Sequence, residues 1–256
     1  MTVPNIDYTR YRSTTYNKRV RFLVLHYTAV DFKTSVELLT SKSSIHYLVP
    51  RLDDPTYKEA GFTTLKVFNL VDENDRAWHA GVSTWAGRSN LNDTSIGIEI
   101  VNLASEKNGV FTFPAYEDDQ VDALIKLTTN ILERYPDISP RNVVAHSDIA
   151  PGRKSDPGPA FPWQRLAEAG IGAWYDDTIR EHFVGEFQSQ GLPAQADLAA
   201  AFKKYGYGIA NAPTDAEFKD VTRAFQMHFR PSNYTGEMDV ETAAILYALN
   251  EKYIQA

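Results

Sequence analysis

Residues Val20 to His26 read VRFLVLH, a short apolar run closed by a histidine. A run of this length, rich in β-branched and aromatic residues, predicts a buried strand with His26 at its C-terminal end. Working outward, Ile45 to Val49 and Leu65 to Val71 also read as strands. Ser95 to Val101 (SIGIEIV) alternates apolar with small or charged residues, so one face points inward and Glu99 lies on the strand. Asn142 to Ala145 is a further short strand that ends at His146. Between the strands, Thr34 to Ser41 predicts a short helix with Thr34 as its cap. The longest helical pattern is Tyr116 to Tyr135, where Val121, Leu124, Ile125, Thr128, Ile131, Leu132 and Tyr135 recur at helical spacing and Pro136 helps to end it. Strands alternating with helices predict an α/β fold with a mixed central sheet flanked by helices.

The pattern changes near Trp174. Beyond it only helical patterns occur: Asp177 to Phe187, Ala196 to Lys204, Ala216 to Phe229 and Val240 to Tyr253. Gly170 to Trp174 is the candidate linker, which gives residues 1–175 as one domain and 176–256 as a small all-α domain. An apolar fraction of 43% argues for a real core and against disorder. The net charge of −7, with no basic run, argues against nucleic acid as a partner. With no cysteine, disulfides and thiolate metal sites are excluded, and any metal must be held by His, Asp or Glu. No apolar stretch reaches the about 18 residues of a membrane-spanning helix. The start, Met1 to Arg12, is polar and lacks an apolar signal core, so a cytoplasmic start is one expectation.

Two of the six histidines, His26 and His146, end apolar strands, where α/β folds usually carry their sites. After His146 runs HSDIAPGRKSD, which adds Asp148 and Asp156 within one loop. From Pro151 to Trp163 that loop has four prolines and two glycines, so its dihedrals are largely preset. Three protein ligands and an open position make the pattern of a catalytic zinc site. Spacing alone also allows blander readings: histidines that merely end strands, an Asp156 that opens a turn before Pro157, a solvent-facing Glu99 and a surface Lys154.

Five phrases extend the pattern: FLVLHYTA (Phe22 to Ala29), SSIHYLV (Ser43 to Val49), RAWHAGVS (Arg76 to Ser83), NDTSIGIE (Asn92 to Glu99) and HSDIAPGRKSDPGPAF (His146 to Phe161). In content and order they resemble the zinc-dependent N-acetylmuramoyl-L-alanine amidases of the AmpD/AmiD type, which share a fold with the peptidoglycan recognition proteins. The resemblance implies zinc as cofactor, held by His26, His146 and Asp156. It implies Glu99 as the group that activates water and Lys154 as the group that stabilises the oxyanion. It sets His46, Trp78, His79 and Asn92 near the substrate cleft, whereas Asp148 matches no ligand. The implied substrate is peptidoglycan or a muropeptide, cut between N-acetylmuramic acid and L-alanine, which implies the periplasm or cell envelope. Homo-oligomer formation is left open.

Asp53 to Thr64 (DDPTYKEAGFTT) is longer than in compact relatives, and it reads as a loop that shapes the cleft or as a neutral insertion. LAAAFKKYGY (Leu198 to Tyr207), VTRAFQMHF (Val221 to Phe229) and MDVETAAIL (Met238 to Leu246) resemble a three-helix peptidoglycan-binding domain, with NAPTD at Asn211 to Asp215 in place of the usual glycine-containing turn. His182 and His228 are expected on its surface or in its core. Two other readings stand beside the amidase: a recognition module that binds peptidoglycan without cutting it, and a zinc peptidase that acts within the stem peptide. A serine nucleophile has less support, because no G-x-S-x-G elbow occurs.

Overall fold

The computed structural model describes residues 3–254. The first two residues of the polar start and the last two of the helical segment lie outside the described residues. In chain order the elements are β1 (Phe22–Tyr27), α1 (Phe32–Leu39), β2 (Tyr47–Val49), α2 (Pro55–Glu59), β3 (Phe68–Asn69), β4 (Thr84–Trp85), β5 (Arg88–Ser89), β6 (Ser95–Ile100), β7 (Ser105–Lys107), β8 (Val110–Thr112), α3 (Asp118–Arg134), β9 (Val143–Ala145), α4 (His146–Ile149), α5 (Trp163–Glu168), α6 (Asp177–Gln190), α7 (Gln195–Tyr205), α8 (Asp215–Phe229) and α9 (Val240–Tyr253). The central sheet is mixed, in the order β3-β2-β6-β1-β9; β3 is antiparallel to β2, and the other pairings are parallel.

Strand parity sorts the apolar residues. Leu23 and Leu25 of β1, Ile96, Ile98 and Ile100 of β6, and Val143 and Ala145 of β9 pack with Val121, Leu124 and Ile131 of α3. Phe22, Val24 and Val144 point the other way and join Trp85, Leu91 and Ile149. The same cluster contains Phe202, Tyr205, Tyr207, Val221, Phe225, Phe229, Ile245 and Leu246. The C-terminal helices thus cover the second face of the sheet, and one core runs through both parts of the chain. The phrases that resemble a three-helix unit fall on α7, α8 and α9, with α6 preceding them and packed mainly on α9.

Some boundaries differ from the sequence expectation. The cap of α1 is Asp31, whose carboxylate accepts the Thr34 N–H at 2.8 Å, and Thr34 lies inside the first turn. The expected strand at Leu65 to Val71 pairs only over Phe68–Asn69, because it is an edge with β2 as its one neighbour. His146 opens the single turn of α4 immediately after β9. The segment from Asp53 to Thr64 folds around buried Tyr57, which stacks on Phe62 and meets Phe32 of α1 edge-on, with ring centroids 5.0 and 4.9 Å away. No helix among the described residues is long and apolar enough to cross a membrane.

Candidate metal centre

Parity also gathers the chemistry. His26 follows Leu25 and therefore points to the face opposite α3, and in the parallel register it lies beside Glu99 of β6. His146 comes one step beyond the Leu25–Ala145 pair. All three sit at the C-terminal edges of adjacent parallel strands, the open end of such a sheet. The loop after α4 then returns Asp156: its carbonyl accepts the Ser147 N–H at 3.0 Å. Tyr27 bonds Ser155 at 2.7 Å, and the Tyr116 hydroxyl donates to the Pro157 carbonyl at 2.8 Å, so both ends of the turn are tied to the body. Gly158 lies at φ +79 with Phe113 against it; a Cβ there would meet the ring at 2.6 Å, so only glycine lets the loop close.

His26 Nδ1 and His146 Nδ1 are 2.9 Å apart, and each is 3.0 Å from Asp156 Oδ2. All three residues are buried. Donors at these separations can share one centre at the about 2.0–2.2 Å that zinc takes to nitrogen and oxygen. Three such groups face one another with no fourth protein group required, so the donor set fits a metal ion. Burial and the neighbouring His146 push His26 down to about 4. Burial alone would raise Asp156, but the two imidazoles outweigh it and hold the carboxyl well below the usual range. A neutral imidazole at His26 and an ionised carboxylate at Asp156 are protonation states that a ligand set needs.

Glu99 is the second unusual carboxylate. Burial, reinforced by Asp156, pushes it up to about 8, and Lys154 pulls against that rise. Its Oε2 is buried without a hydrogen-bond partner. A carboxylate that both holds and releases a proton near neutral pH suits general acid–base work. Lys154 is exposed on the loop, with its N–H bonded to the Ala150 carbonyl at 3.1 Å. Its charge acts on both His26 and Glu99.

The four residues expected near the cleft divide. Trp78 is 61% exposed, with the Arg76 guanidinium 4.1 Å from its ring. His46 is fully buried; its Nδ1 accepts the Gly97 N–H at 3.0 Å and its Nε2 bonds the Asp75 carbonyl at 3.2 Å. Asn92 is buried, and its Oδ1 accepts the N–H groups of His79 and Ala80. His79 is partly buried with its ring nitrogens 3.0 Å from His26 and 3.2 Å from Ser95. Only Trp78 presents a large free surface to solvent.

Asp148 matched no ligand, and its carboxylate points away from the cluster. It accepts the Ala145 N–H at 2.8 Å, the Tyr207 hydroxyl at 2.7 Å and a contact from His228 Nδ1 at 2.6 Å. His228 also stacks on Trp163 at 3.7 Å between centroids. His228 lies on α8 and Tyr207 just beyond the end of α7, so the turn that carries His146 is bolted to the C-terminal part of the chain. Nothing local in the sequence marks Tyr207 or His228 for this; an acidic residue two positions after His146 is the available signal.

A family model described as N-acetylmuramoyl-L-alanine amidase (Amidase_2) matches residues 16–159. The chain is 49% identical over 240 residues to N-acetylmuramoyl-L-alanine amidase AmiD of Escherichia coli K12, covering 93% of this chain and 84% of that one. The crystal structure of AmpDh3 from Pseudomonas aeruginosa in complex with anhydromuramic pentapeptide superposes with a TM-score of 0.96 at 64% identity, covering 98% of this chain and 99% of that one. E. coli AmiD in complex with anhydro-N-acetylmuramic acid-L-Ala-D-γ-Glu-L-Lys gives 0.85 at 44% identity, covering 97% and 95%.

Proposed function

As the chain belongs to the N-acetylmuramoyl-L-alanine amidase family, we propose that it is a zinc hydrolase of anhydromuramyl peptides, cutting the amide between the muramic acid and L-alanine. The observation that carries this reading is the meeting of His26 Nδ1, His146 Nδ1 and Asp156 Oδ2 within 3.0 Å of one another, with Glu99 beside His26 on the neighbouring strand. The anhydro form of the substrate is taken from the two similar structures, each solved with an anhydromuramyl peptide. Peptidoglycan as the source of that substrate supports the periplasm or cell envelope as the working place, with the cytoplasm as the alternative.

His26, His146 and Asp156 hold the zinc. When bound, the ion supplies a Lewis acid that polarises the carbonyl and acidifies water. Glu99 takes the proton of the attacking water and delivers it to the leaving nitrogen, which an amide needs because its amine leaves poorly. Lys154 offsets the negative charge that gathers on the carbonyl oxygen. Trp78, with its exposed ring, offers a face to the sugar or the peptide, and His46, His79 and Asn92 shape the floor behind it. Residues 1–175 carry this chemistry. The helices of 176–256 bind peptidoglycan, a reading supported by the resemblance of α7 to α9 to a wall-binding domain.

Mass spectrometry of the products decides the reaction. Release of an intact stem peptide with a free L-alanine N-terminus is expected; L-alanine retained on the sugar means a peptidase, and no product means a binding module. Metal analysis is expected to find one zinc per chain, and its loss in His146→Ala. Equal zinc in both proteins sinks the ligand assignment. For the helices, Glu99→Gln protein is expected to sediment with insoluble sacculi even when excess soluble anhydromuropeptide fills the cleft. Full release by the soluble fragment would mean that the cleft alone binds.

A further inference from the structure

We propose that the segment His79–Ala80, fixed by Asn92 and Ser95, sets the tautomers of both metal-facing histidines. His79, Ser95 and Asn92 are thereby positioning residues of the metal centre. The inference rests on reading His26, His146 and Asp156 as a metal site.

The directions of the hydrogen bonds follow from one end of the chain. The Leu91 carbonyl can only accept, so the Ser95 hydroxyl donates to it, at 2.7 Å. The Ser95 oxygen is then free to accept, and it lies 3.2 Å from His79 Nε2, which must carry the proton. A neutral imidazole protonated at Nε2 is bare at Nδ1. His79 Nδ1 therefore accepts from His26 Nε2, 3.0 Å away. With its proton on Nε2, His26 is left bare at Nδ1, the atom that faces His146 and Asp156. The neighbouring residue does the same for the other histidine. The Ala80 carbonyl accepts from His146 Nε2 at 3.1 Å, which leaves His146 Nδ1 bare.

A single two-residue strap thus aims two lone pairs at one point, and it is itself held. Asn92 Oδ1 accepts the His79 N–H at 3.1 Å and the Ala80 N–H at 2.7 Å. Arg153 adds a bond to the Ala80 carbonyl at 3.2 Å. The strap also explains Gly97: a Cβ there would come within 2.6 Å of His79 Nδ1, so glycine on β6 is what lets the imidazole reach His26. Groups that orient ligand histidines in this way are typically worth about 10- to 100-fold in metal affinity.

The test is Ser95→Ala, a small change separated from the ligand by two hydrogen bonds. Without the hydroxyl, His79 is free to carry its proton on Nδ1. That proton faces His26 Nε2 and drives the His26 proton onto the ligand atom. Zinc affinity, measured by chelator competition, is expected to fall about tenfold. The ring-nitrogen NMR signals of His26 in the zinc-free protein should shift from a pure Nε2–H form to a mixture. Ser95→Thr, which keeps the oxygen, should restore both, and Asn92→Ala should weaken zinc binding while leaving the His26 tautomer in place. Unchanged affinity and tautomer in Ser95→Ala overturn the proposal. A parent protein that binds no zinc overturns the metal reading instead, and the two failures are distinct.

Discussion

Glu99 concentrates the residue-scale argument. In the metal-free chain, burial and the neighbouring Asp156 push its carboxyl up to about 8, close to the pH at which a base must work. Glu99→Gln is expected to retain zinc and fold yet lose about 10²–10⁴-fold in turnover, the usual range for a removed general base. Steady-state hydrolysis of an anhydromuropeptide reads this out, and a loss of only a few-fold would give the proton to another group. The same residue gives the zinc-free protein a pH signature. Its folded pKa lies above its ordinary value of 4.5, so the folded chain holds the proton more tightly than the unfolded chain. That contribution is fully present below the ordinary value and is lost as pH rises toward about 8. Thermal unfolding without metal should therefore show Glu99→Gln gaining on the parent across that window. A pH-independent difference would mean that Glu99 is already ionised in the fold.

At the scale of elements, the single turn α4 cannot hold itself. A four-residue helix has almost no internal hydrogen bonds, so its position depends on what grips it. Asp148 is that grip, tying the Ala145 backbone to Tyr207 and His228. Tyr207→Phe removes one donor from a buried carboxylate and is expected to cost about 1–3 kcal/mol. Urea denaturation of the metal-free protein measures it; a change within error would mean that water replaces the hydroxyl. The rigid loop from Pro151 to Trp163 depends less on such grips, because its prolines preset the backbone.

Over the whole molecule the shared core sets the behaviour. Phe22, Val24, Val144 and Ile149 of the sheet part are buried with Phe202, Phe225 and Ile245 of the helices. The full chain is expected to unfold in one transition by calorimetry, since neither part has this core to itself. Two separated transitions would show independent units. Phe225→Ala, at a fully buried position, should cost about 3–5 kcal/mol. It should also depress zinc affinity, because α8 carries His228 toward Asp148. A chain cut after residue 175 should expose the sheet face and bind an apolar dye. Its loss of activity would then extend to soluble fragments as well as insoluble wall.

By itself the sequence determined the local and the periodic. The apolar run ending at His26, the alternation through Glu99, the helical stripe from Val121 to Tyr135 and the proline-set loop to Asp156 are all legible, because burial imposes a period on each. The five phrases added the family and pointed to His26, His146 and Asp156 as a candidate metal set. Only the tertiary structure decided partners. Asp148 meets residues 59 and 80 positions away, and His79 meets His26 across 53. Periodicity states which face of an element is apolar but not what covers it, so the helices' grip on α4 and the strap behind the histidines had no local signal. Hydrogen-bond direction is likewise set by the last acceptor in a chain, here the Leu91 carbonyl, and that acceptor is identified only when the chain is folded.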